Sequence, residues 1–367
     1  MATISIKEIT TRLEQFAPLA YQEDYDNSGL ITGNPHAPVT GVLVTLDCTE
    51  AVVAEAIQQN CNLIVAHHPI LFRAIKKLTG RNYVERTLIK AIQNNVAIYA
   101  IHTNLDNVHA GVNHKIAEQL GLQNLRILAP KPATLLKLVT FIPANHAEQV
   151  TQKLFDAGAG QIGNYKDCSF NLVGEGTYRP QAHAKPFKGT TGVLERASEV
   201  RVEVILPVVA KDRVIGALKS SHPYEEVAYY LSVLENENQE VGSGLVGELA
   251  EALEPGKFLQ HVKQKMQADC VRHTALPTSA IRKVAICGGS GSFLLSRAIA
   301  SGADAFVTAD FKYHEFFDAD GKILIADIGH YESEQFTKDL LGAFLKENFP
   351  TFAIAFSKVV TNPISYL

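Results

Sequence analysis

The chain of 367 residues is 46% hydrophobic and 20% charged, a balance that is typical of folded proteins and excludes a largely disordered chain. Its formal net charge is −4 and no Lys/Arg cluster stands out, so we expect a small-molecule substrate and no nucleic acid. No apolar run reaches the roughly 20 residues of a membrane helix, and the N-terminus lacks the apolar core of a signal peptide. A cytoplasmic protein with no membrane contact is therefore expected. The five cysteines form no C-x-x-C pair, which argues against a disulfide framework or a thiolate zinc site.

From residue 39 to about residue 122 the sequence alternates between predicted strands and predicted helices. The strands are nearly continuous apolar runs, as expected when helices cover both faces of a sheet. The predicted strands span 39–48, 62–71 and 96–105, and the predicted helices span 49–60, 82–95 and 113–121. This order predicts an α/β domain whose sheet is mostly parallel and has helices on both faces.

The last third of the chain returns to the same alternation. Short strands are predicted at 283–287, 305–310 and 322–327, followed by a helix over 332–349 and a final strand within 351–363. Because this pattern continues that of the first third, we expect both segments to belong to one domain that is discontinuous in sequence.

The region between these segments has a different rhythm. It predicts strands at 135–143, 168–180 and 198–207, a helix at 146–158, and a mostly helical stretch at 211–235. This is the order of a ferredoxin-like unit, with room for a fourth strand. Stretches rich in Pro, Gly and polar residues flank it at 127–133 and 236–244. We therefore predict an α/β domain formed by 1–130 and 245–367, and an inserted α+β domain at 131–244.

Histidines and carboxylates that suit metal ions stand at the ends of predicted strands. His67 and His68 end one strand, where ligands bind in open α/β sheets. Adjacent residues on an extended chain point in opposite directions, so the pair can serve two neighbouring ions, or one of them can be structural. Asp106, after the next strand, has oxygens that suit a cation, but an Asp there can also cap a turn. His102 alone is more typical of a hydrogen-bonded core histidine.

Two further clusters follow strands of the last third. His330 and Glu334 share a face if the turn between them is helical, and they can then meet on one cation; acidic residues also favour a helix start for electrostatic reasons. Asp310 and His314 have the same spacing, and either contacts around the site or ordinary capping explains them. We expect all four clusters to converge at one edge of the sheet. Imidazole and carboxylate without thiolate suit zinc, iron or manganese.

The glycine-rich stretch ICGGSGSF at 286–293 joins a predicted strand to a predicted helix. The amides of Gly289, Ser290 and Gly291 can cradle a phosphate or another part of a substrate. The stretch lacks the Lys of a P-loop and the full spacing of a dinucleotide-binding loop. As a tight connection between strand and helix it requires no ligand.

Taken together, these motifs resemble the GTP cyclohydrolase 1 type 2 homologue family, also described as interacting-factor-like dinuclear metal-centre proteins. The resemblance is carried by DNSGLITG (26–33), Asp47 and Thr49 after VLVTL, IVAHHPILF, IHTNLD, ICGGSGS, TADFKYH and GHYESE. These segments lie throughout both α/β segments, roughly 1–130 and 245–367.

The resemblance implies two divalent metal ions held by His67, His68, Asp106, His330 and Glu334, with one carboxylate bridging the ions. It places His102 close to the metals. It also implies that the inserted domain is similar to PII signalling and CutA-type proteins, a likeness carried by SSHPYEEVAYYL at 220–231. Members of the family are expected to form toroidal homohexamers with the metal sites facing an internal cavity.

We expect a metal-dependent hydrolase that acts on a nucleotide-type substrate, by ring-opening hydrolysis of GTP or by hydrolysis of a nucleotide phosphoester. Two ions about 3.5–4 Å apart activate water and stabilise a leaving oxygen, and His102 or Asp310 can relay protons. The alternative is a non-catalytic protein that handles metal or senses a ligand through its PII-like domain. In a third hypothesis the inserted domain restricts access to the cavity.

Overall fold

A computed structural model of the chain describes residues 4–367, which divide into two compact units. We call the first the split unit, because it contains the described residues up to Pro130 together with Gln239–Leu367. The second, the middle unit, contains Lys131–Asn238. Within the described chain, no helix is both long enough and apolar enough to cross a membrane.

The first sheet of the split unit is mostly parallel. Its strands are β1 Gly29–Thr32, β2 Val42–Thr45, β3 Leu63–Ala66, β4 Ala97–Ala100 and β15 Ile354–Phe356. They lie in the order β1-β4-β3-β2-β15, and only β1 runs antiparallel to its neighbour. Every residue of β2, β3 and β4 is buried, which explains why their sequences are apolar without alternation.

The second sheet of the split unit is mixed. Its strands are β5 Leu122–Pro130, β10 Gly242–Leu253, β11 Arg272–His273, β12 Ile281–Ser290, β13 Ala305–Ala309 and β14 Leu324–Asp327. They lie in the order β11-β14-β13-β12-β10-β5. The central strands β12, β13 and β14 are parallel, and the outer strands pair antiparallel. Strands β13 and β14 are again short and buried throughout.

Helices cover both sheets and join them. They are α1 Ile6–Phe16, α2 Glu50–Gln58, α3 Tyr83–Gln93, α4 Thr103–Asp106, α5 Val112–Leu120, α8 Pro255–Lys265, α9 Leu295–Ala300, α10 His330–Glu334 and α11 Thr337–Asn348. Helix α11 packs on β2 and β15 of the first sheet, and α5 packs on β10 and β12 of the second. Because α5 and α11 also contact each other, the two sheets belong to one packed unit.

The middle unit is a four-stranded antiparallel sheet with two helices. Its elements are β6 Leu135–Pro143, α6 Ala147–Asp156, β7 Phe170–Tyr178, β8 Glu195–Pro207, α7 Lys211–Ser221 and β9 Tyr229–Val233. The strand order is β7-β8-β6-β9. Alternate residues of β6 and β8 form a core with the helices, including Leu138, Val204 and Val214. The β-α-β-β-α-β succession is ferredoxin-like.

The prediction of one mostly parallel sheet was wrong, because the split unit has two mixed sheets. Each sequence segment contributes one strand to the sheet formed mainly by the other segment: β5 of the first segment pairs with β10, and β15 of the last segment pairs with β2. An apolar run in the sequence indicates that a strand is buried, but it does not indicate which strand lies beside it in the sheet.

Two local predictions also differ from the structure. The Pro-, Gly- and polar-rich stretch predicted to flank the inserted domain at 127–133 instead continues β5 to Pro130. The stretch at 211–235 is helical only to Ser221. Pro223 follows, and the chain returns as β9, because proline disfavours the helical conformation in the residue before it.

Candidate metal centre

The carboxyl ends of the parallel strands in the two sheets meet in one cavity of the split unit. His67 and His68 follow β3, and Asp106 ends α4 just after β4. His330 and Glu334 are the first and last residues of α10, which follows β14. The two edges approach so closely that His68 Nε2 lies 3.3 Å from His330 Nε2. The five predicted metal-binding residues therefore come together across two facing sheet edges.

Glu334 lies at the centre of this cluster and is 3% exposed. Its Oε2 atom lies 2.9 Å from His68 Nε2, 3.2 Å from His330 Nε2 and 3.8 Å from His67 Nε2. Asp106 Oδ1 lies 3.6 Å from His67 Nε2. Two three-residue groups that can hold a metal ion thus share Glu334, one with His68 and His330 and the other with His67 and Asp106.

The four histidines around the cavity are oriented in the same way. Each donates its Nδ1–H to an oxygen behind it: His67 to the Ile101 carbonyl at 2.8 Å, His68 to Asp47 Oδ1 at 2.8 Å, His102 to Asp26 Oδ1 at 2.8 Å and His330 to Asp310 Oδ2 at 2.7 Å. Because these acceptors cannot donate, each Nδ1 carries a proton. Each Nε2 therefore faces the cavity, and a ring that is neutral in this tautomer would present its Nε2 lone pair to a metal ion, as metal-binding histidines do.

The cluster contains more hydrogen-bond acceptors than donors. His67 Nε2 and Asp106 Oδ1 are buried and have no hydrogen-bond partner in the described chain, although most buried polar atoms have one. Atoms that bind zinc tetrahedrally at about 2.1 Å lie roughly 3.4 Å from one another, and the separations of 3.2, 3.6 and 3.8 Å in this cluster are similar. The donor set therefore fits divalent cations that accept nitrogen and oxygen ligands.

The electrostatics of the cavity also favour bound positive charge. Burial alone would lower the pKa of His68, but hydrogen bonds to Asp47 and Glu334 raise it to about 9. Burial opposes a raised pKa at His330 too, yet the charge of Glu334 and the hydrogen bond to Asp310 raise that pKa to about 11. Burial and the charge of Glu334 raise the pKa of Asp106 above its ordinary value. The carboxylates therefore stabilise a cation among them, whether it is a proton or a metal ion.

The glycine-rich stretch lies directly against this cluster. Its first residues continue β12 to Ser290. Gly289 has a φ of +59°, a backbone conformation that glycine adopts more readily than other residues do. A Cβ on Gly289 would lie 2.5 Å from Glu334 Oε1, so the Glu334 carboxylate can occupy its position only because residue 289 has no side chain. The Gly289 N–H donates to Ser333 Oγ at 2.9 Å, and the Gly288 N–H donates to Asn113 Oδ1 at 3.0 Å.

The other predicted site residues take different places. The His102 ring is centred 5.4 Å from His67 and 5.3 Å from His68, and the three form another group that can hold a metal ion. Asp310 contacts the cluster through His330 and accepts a hydrogen bond from Ser290 Oγ at 2.6 Å. Gly291 approaches Thr308, where a Cβ would lie 2.2 Å from the Thr308 hydroxyl oxygen.

His314, which the sequence paired with Asp310, is exposed and stacks on Phe317 with ring centroids 6.4 Å apart. It is not among the residue groups that can hold a metal ion in the described chain.

Sequence reasoning named Asp310 but gave no role to the other two carboxylates behind the histidines. Asp47 follows β2, and Asp26 lies in the loop before β1. Both residues belong to the segments that carry the family resemblance, but the motifs alone assigned them no role at the site. The position of Asp47 next to a strand end was a usable signal, because β2 and β3 are parallel neighbours. The contact between Asp26 and His102 spans 76 residues and has no such signal.

A cavity of about 740 Å³ opens over the cluster. Its walls include Phe72, Tyr83, Phe293 and Tyr331, and Gly289 and Ser290 also line it. This volume lies in the range of small-molecule sites, which are typically mostly apolar with a few polar groups.

Comparison with known proteins identifies the family. A family model described as Duf34/NIF3 (NGG1p interacting factor 3) matches residues 4–363. The chain belongs to the Duf34/NIF3 family. The resemblance inferred from the motifs is thereby confirmed, since relatives within this family carry the name that the motifs indicated.

Two such Duf34/NIF3 relatives are both named GTP cyclohydrolase 1 type 2 homolog. The protein from Halalkalibacterium halodurans is 39% identical over 360 residues, which cover 96% of this chain and 96% of that protein. The protein from Bacillus subtilis is 38% identical over 371 residues, which cover 100% of this chain and 99% of that protein. A solved Bacillus cereus structure, described as a protein related to NIF3, has a TM-score of 0.88 at 38% identity and covers both chains completely.

Proposed function

We propose that this protein is a metal-dependent hydrolase whose centre holds two divalent ions, with zinc, iron and manganese as candidates. The ligands would be His67, His68, Asp106, His330 and Glu334. One group, His68 with His330, and the other, His67 with Asp106, would each take an ion, and the carboxylate of Glu334 would bridge them. The observation that carries the proposal is that three imidazole Nε2 atoms lie within 2.9–3.8 Å of Glu334 Oε2. Among the atoms of this cluster, His67 Nε2 and Asp106 Oδ1 have no hydrogen-bond partner in the described chain.

When bound, two divalent ions activate a water for attack and stabilise the charge that develops on a leaving oxygen. The protein residues position these groups and move protons. His102 is held at Nδ1 by Asp26, which leaves its Nε2 available to accept or return a proton at the edge of the cluster. Asp310 fixes the His330 ring.

The substrate that we propose is a nucleotide, by ring-opening hydrolysis of GTP or by hydrolysis of a phosphoester. The support is the name shared by the relatives and the size of the cavity, about 740 Å³. Aromatic rings such as Phe72 and Tyr331 can stack on a base, and we propose that Gly289 and Ser290, which also line the cavity, lie against its polar groups. Gly291 is not among the residues that line this cavity.

The test combines elemental analysis of the native protein with a nucleotide hydrolysis screen of the metal-loaded protein. We expect two equivalents of a divalent metal per chain, and turnover that His68→Ala or Glu334→Ala abolishes while the oligomer persists. Gel filtration of the same variants would check the predicted homohexamer. Retained activity in a metal-depleted double variant would contradict the proposal.

A second candidate function is supported by a separate cavity in the middle unit. This cavity of about 790 Å³ is lined by Tyr178, Phe187, Tyr224 and the buried Glu199, whose Oε1 accepts a hydrogen bond from the Tyr224 hydroxyl at 2.8 Å. We infer that a PII- or CutA-like middle domain could sense a small molecule there while the centre handles metal without turnover. Exchangeable metal binding without hydrolysis of any nucleotide would favour this function.

The third hypothesis, that the inserted domain restricts access to the cavity, stays a prediction. Deleting residues 134–240 and comparing turnover of small and large substrates would test this role. A gate predicts a larger gain for the large substrates, whereas a sensor domain predicts no dependence on substrate size.

A further inference from the structure

The C-terminal segment after β15 forms part of the wall of the metal cavity. Strand β15 pairs in parallel with β2, with Phe356 opposite Val44, and the Ser357 N–H donates to the Val44 carbonyl at 2.9 Å. The chain therefore leaves the sheet beside the end of β2, where Asp47 lies. Residues Thr361, Asn362, Pro363 and Ile364 then line the cavity.

Hydrogen bonds hold this segment along its course. The Ser357 hydroxyl donates to Glu55 Oε2 at 2.5 Å, and the Lys358 N–H donates to Glu55 Oε1 at 2.9 Å. Farther along, the Asn362 amide donates to Glu332 Oε1 at 3.0 Å. Glu332 is buried in α10, between His330 and Glu334 in sequence, so the segment contacts the helix that carries two of the proposed ligands.

The contact with Asp47 has the most direct connection to a proposed ligand. The Thr361 hydroxyl donates to Asp47 Oδ2 at 2.5 Å, while Asp47 Oδ1 accepts the Nδ1–H of His68 at 2.8 Å. The two oxygens of one carboxylate thus hold Thr361 on one side and His68 on the other. A carboxylate fixed at both oxygens cannot rotate without breaking one of these bonds, so Thr361 limits the orientations of the His68 ring.

We propose that Thr361 is a positioning residue of the metal centre, acting through Asp47 to aim His68 Nε2 at the metal ion. This inference rests on the proposed function, because it assumes that His68 binds an ion. Removing the partners behind metal-binding histidines typically weakens metal binding by about 10- to 100-fold. Thr361 is one hydrogen bond farther from the ion than Asp47, so an effect near the lower end, about tenfold, is expected.

The experiment compares Thr361→Val with Thr361→Ser in the full chain. Valine keeps the β-branched shape and removes the hydroxyl, whereas serine keeps the hydroxyl. Calorimetric titration of the metal-free proteins with Zn²⁺ gives the affinities, and the visible absorption of the Co²⁺-loaded proteins reports the geometry around the ion. We expect Thr361→Val to bind Zn²⁺ about tenfold more weakly and to alter the Co²⁺ spectrum. Thr361→Ser should restore both properties.

Thermal unfolding of the metal-free variants shows whether they are folded, and deletion of 361–367 provides a second variant that removes the same hydroxyl. If the wild type binds no Zn²⁺, the proposed function fails. If the wild type binds Zn²⁺ but Thr361→Val and the deletion match it in affinity and Co²⁺ spectrum, this inference alone fails. An equal loss in Thr361→Ser would also overturn it, because the hydroxyl would then not be the determinant.

Discussion

Replacing Gly289 by alanine should damage the metal centre by steric displacement of a single carboxylate. The backbone there has a φ of +59°, and a left-handed conformation costs about 1–2 kcal/mol for a residue that has a Cβ. The new Cβ would also lie 2.5 Å from Glu334 Oε1. To regain an ordinary contact of 3.4 Å, the carboxylate must move by about 0.9 Å, beyond the tolerance of about 0.5 Å for a functional site.

Gly121 offers a matched control for the backbone effect. Its φ is +71°, and nothing lies within 4 Å of a Cβ added there. Gly121→Ala should therefore lower the free energy of unfolding by about 1–2 kcal/mol and leave metal affinity unchanged. Gly289→Ala should lose at least as much stability and should also bind Zn²⁺ about 10- to 100-fold more weakly.

Urea unfolding of the metal-free proteins measures the first quantity, and calorimetric titration with Zn²⁺ measures the second. Equal Zn²⁺ affinities for the two variants would refute the reasoning, because the contact with Glu334 would then have no consequence for the ligand cluster. Such a result would also argue that Glu334 does not bind the ion in the orientation described above.

Three other changes test separate features of the molecule. Glu334→Gln keeps the side-chain shape but removes the charge shared by both ligand groups, so Zn²⁺ binding should weaken by about 100-fold or more, equivalent to roughly 3 kcal/mol, in a calorimetric titration. Burial lowers the pKa of His222 below its ordinary value of 6.5, so the unfolded chain takes up the proton first as the pH falls. The stabilisation by neutral His222 is therefore complete above pH 6.5 and is lost as the pH falls through the lower pKa of the folded state. In urea unfolding, the free energy of unfolding of the wild type should fall between pH 7 and 5, and that of His222→Gln should fall less. Asn104→Ala removes two hydrogen bonds of a fully buried amide and should lower the free energy of unfolding by about 1–3 kcal/mol; a change below 0.5 kcal/mol in urea unfolding would contradict this.

The sequence allowed the family and the elements that carry the cluster to be predicted, because both depend on local patterns. The apolar runs before His67 and His68 and before His330 predicted strands, and strands β3 and β14 are found there. The helical turn from His330 to Glu334 also matches the spacing that placed both side chains on one face.

The assignment of strands to sheets could not be predicted in the same way. Strand β15 joins β2 although more than 300 residues separate them, and its three residues carry no signal for that partner. For the same reason the contact from Thr361 to Asp47, 314 residues apart, was invisible in the sequence. Contacts of this kind depend on the tertiary fold, which local periodicity does not record.

The position of the middle unit in the sequence has a consequence for the order in which the site can form. His68 and Glu334 are separated by 266 residues, and the whole middle unit is made between them. During synthesis, His67, His68, His102 and Asp106 therefore leave the ribosome long before the residues that complete the cluster. Binding of an ion that contacts Glu334 must wait until almost the entire chain has emerged, whereas the group of His67, His68 and His102 comes from the first segment alone. An ion bound to Glu334 together with His67 or His68 would therefore mark a polypeptide whose two outer segments have already come together.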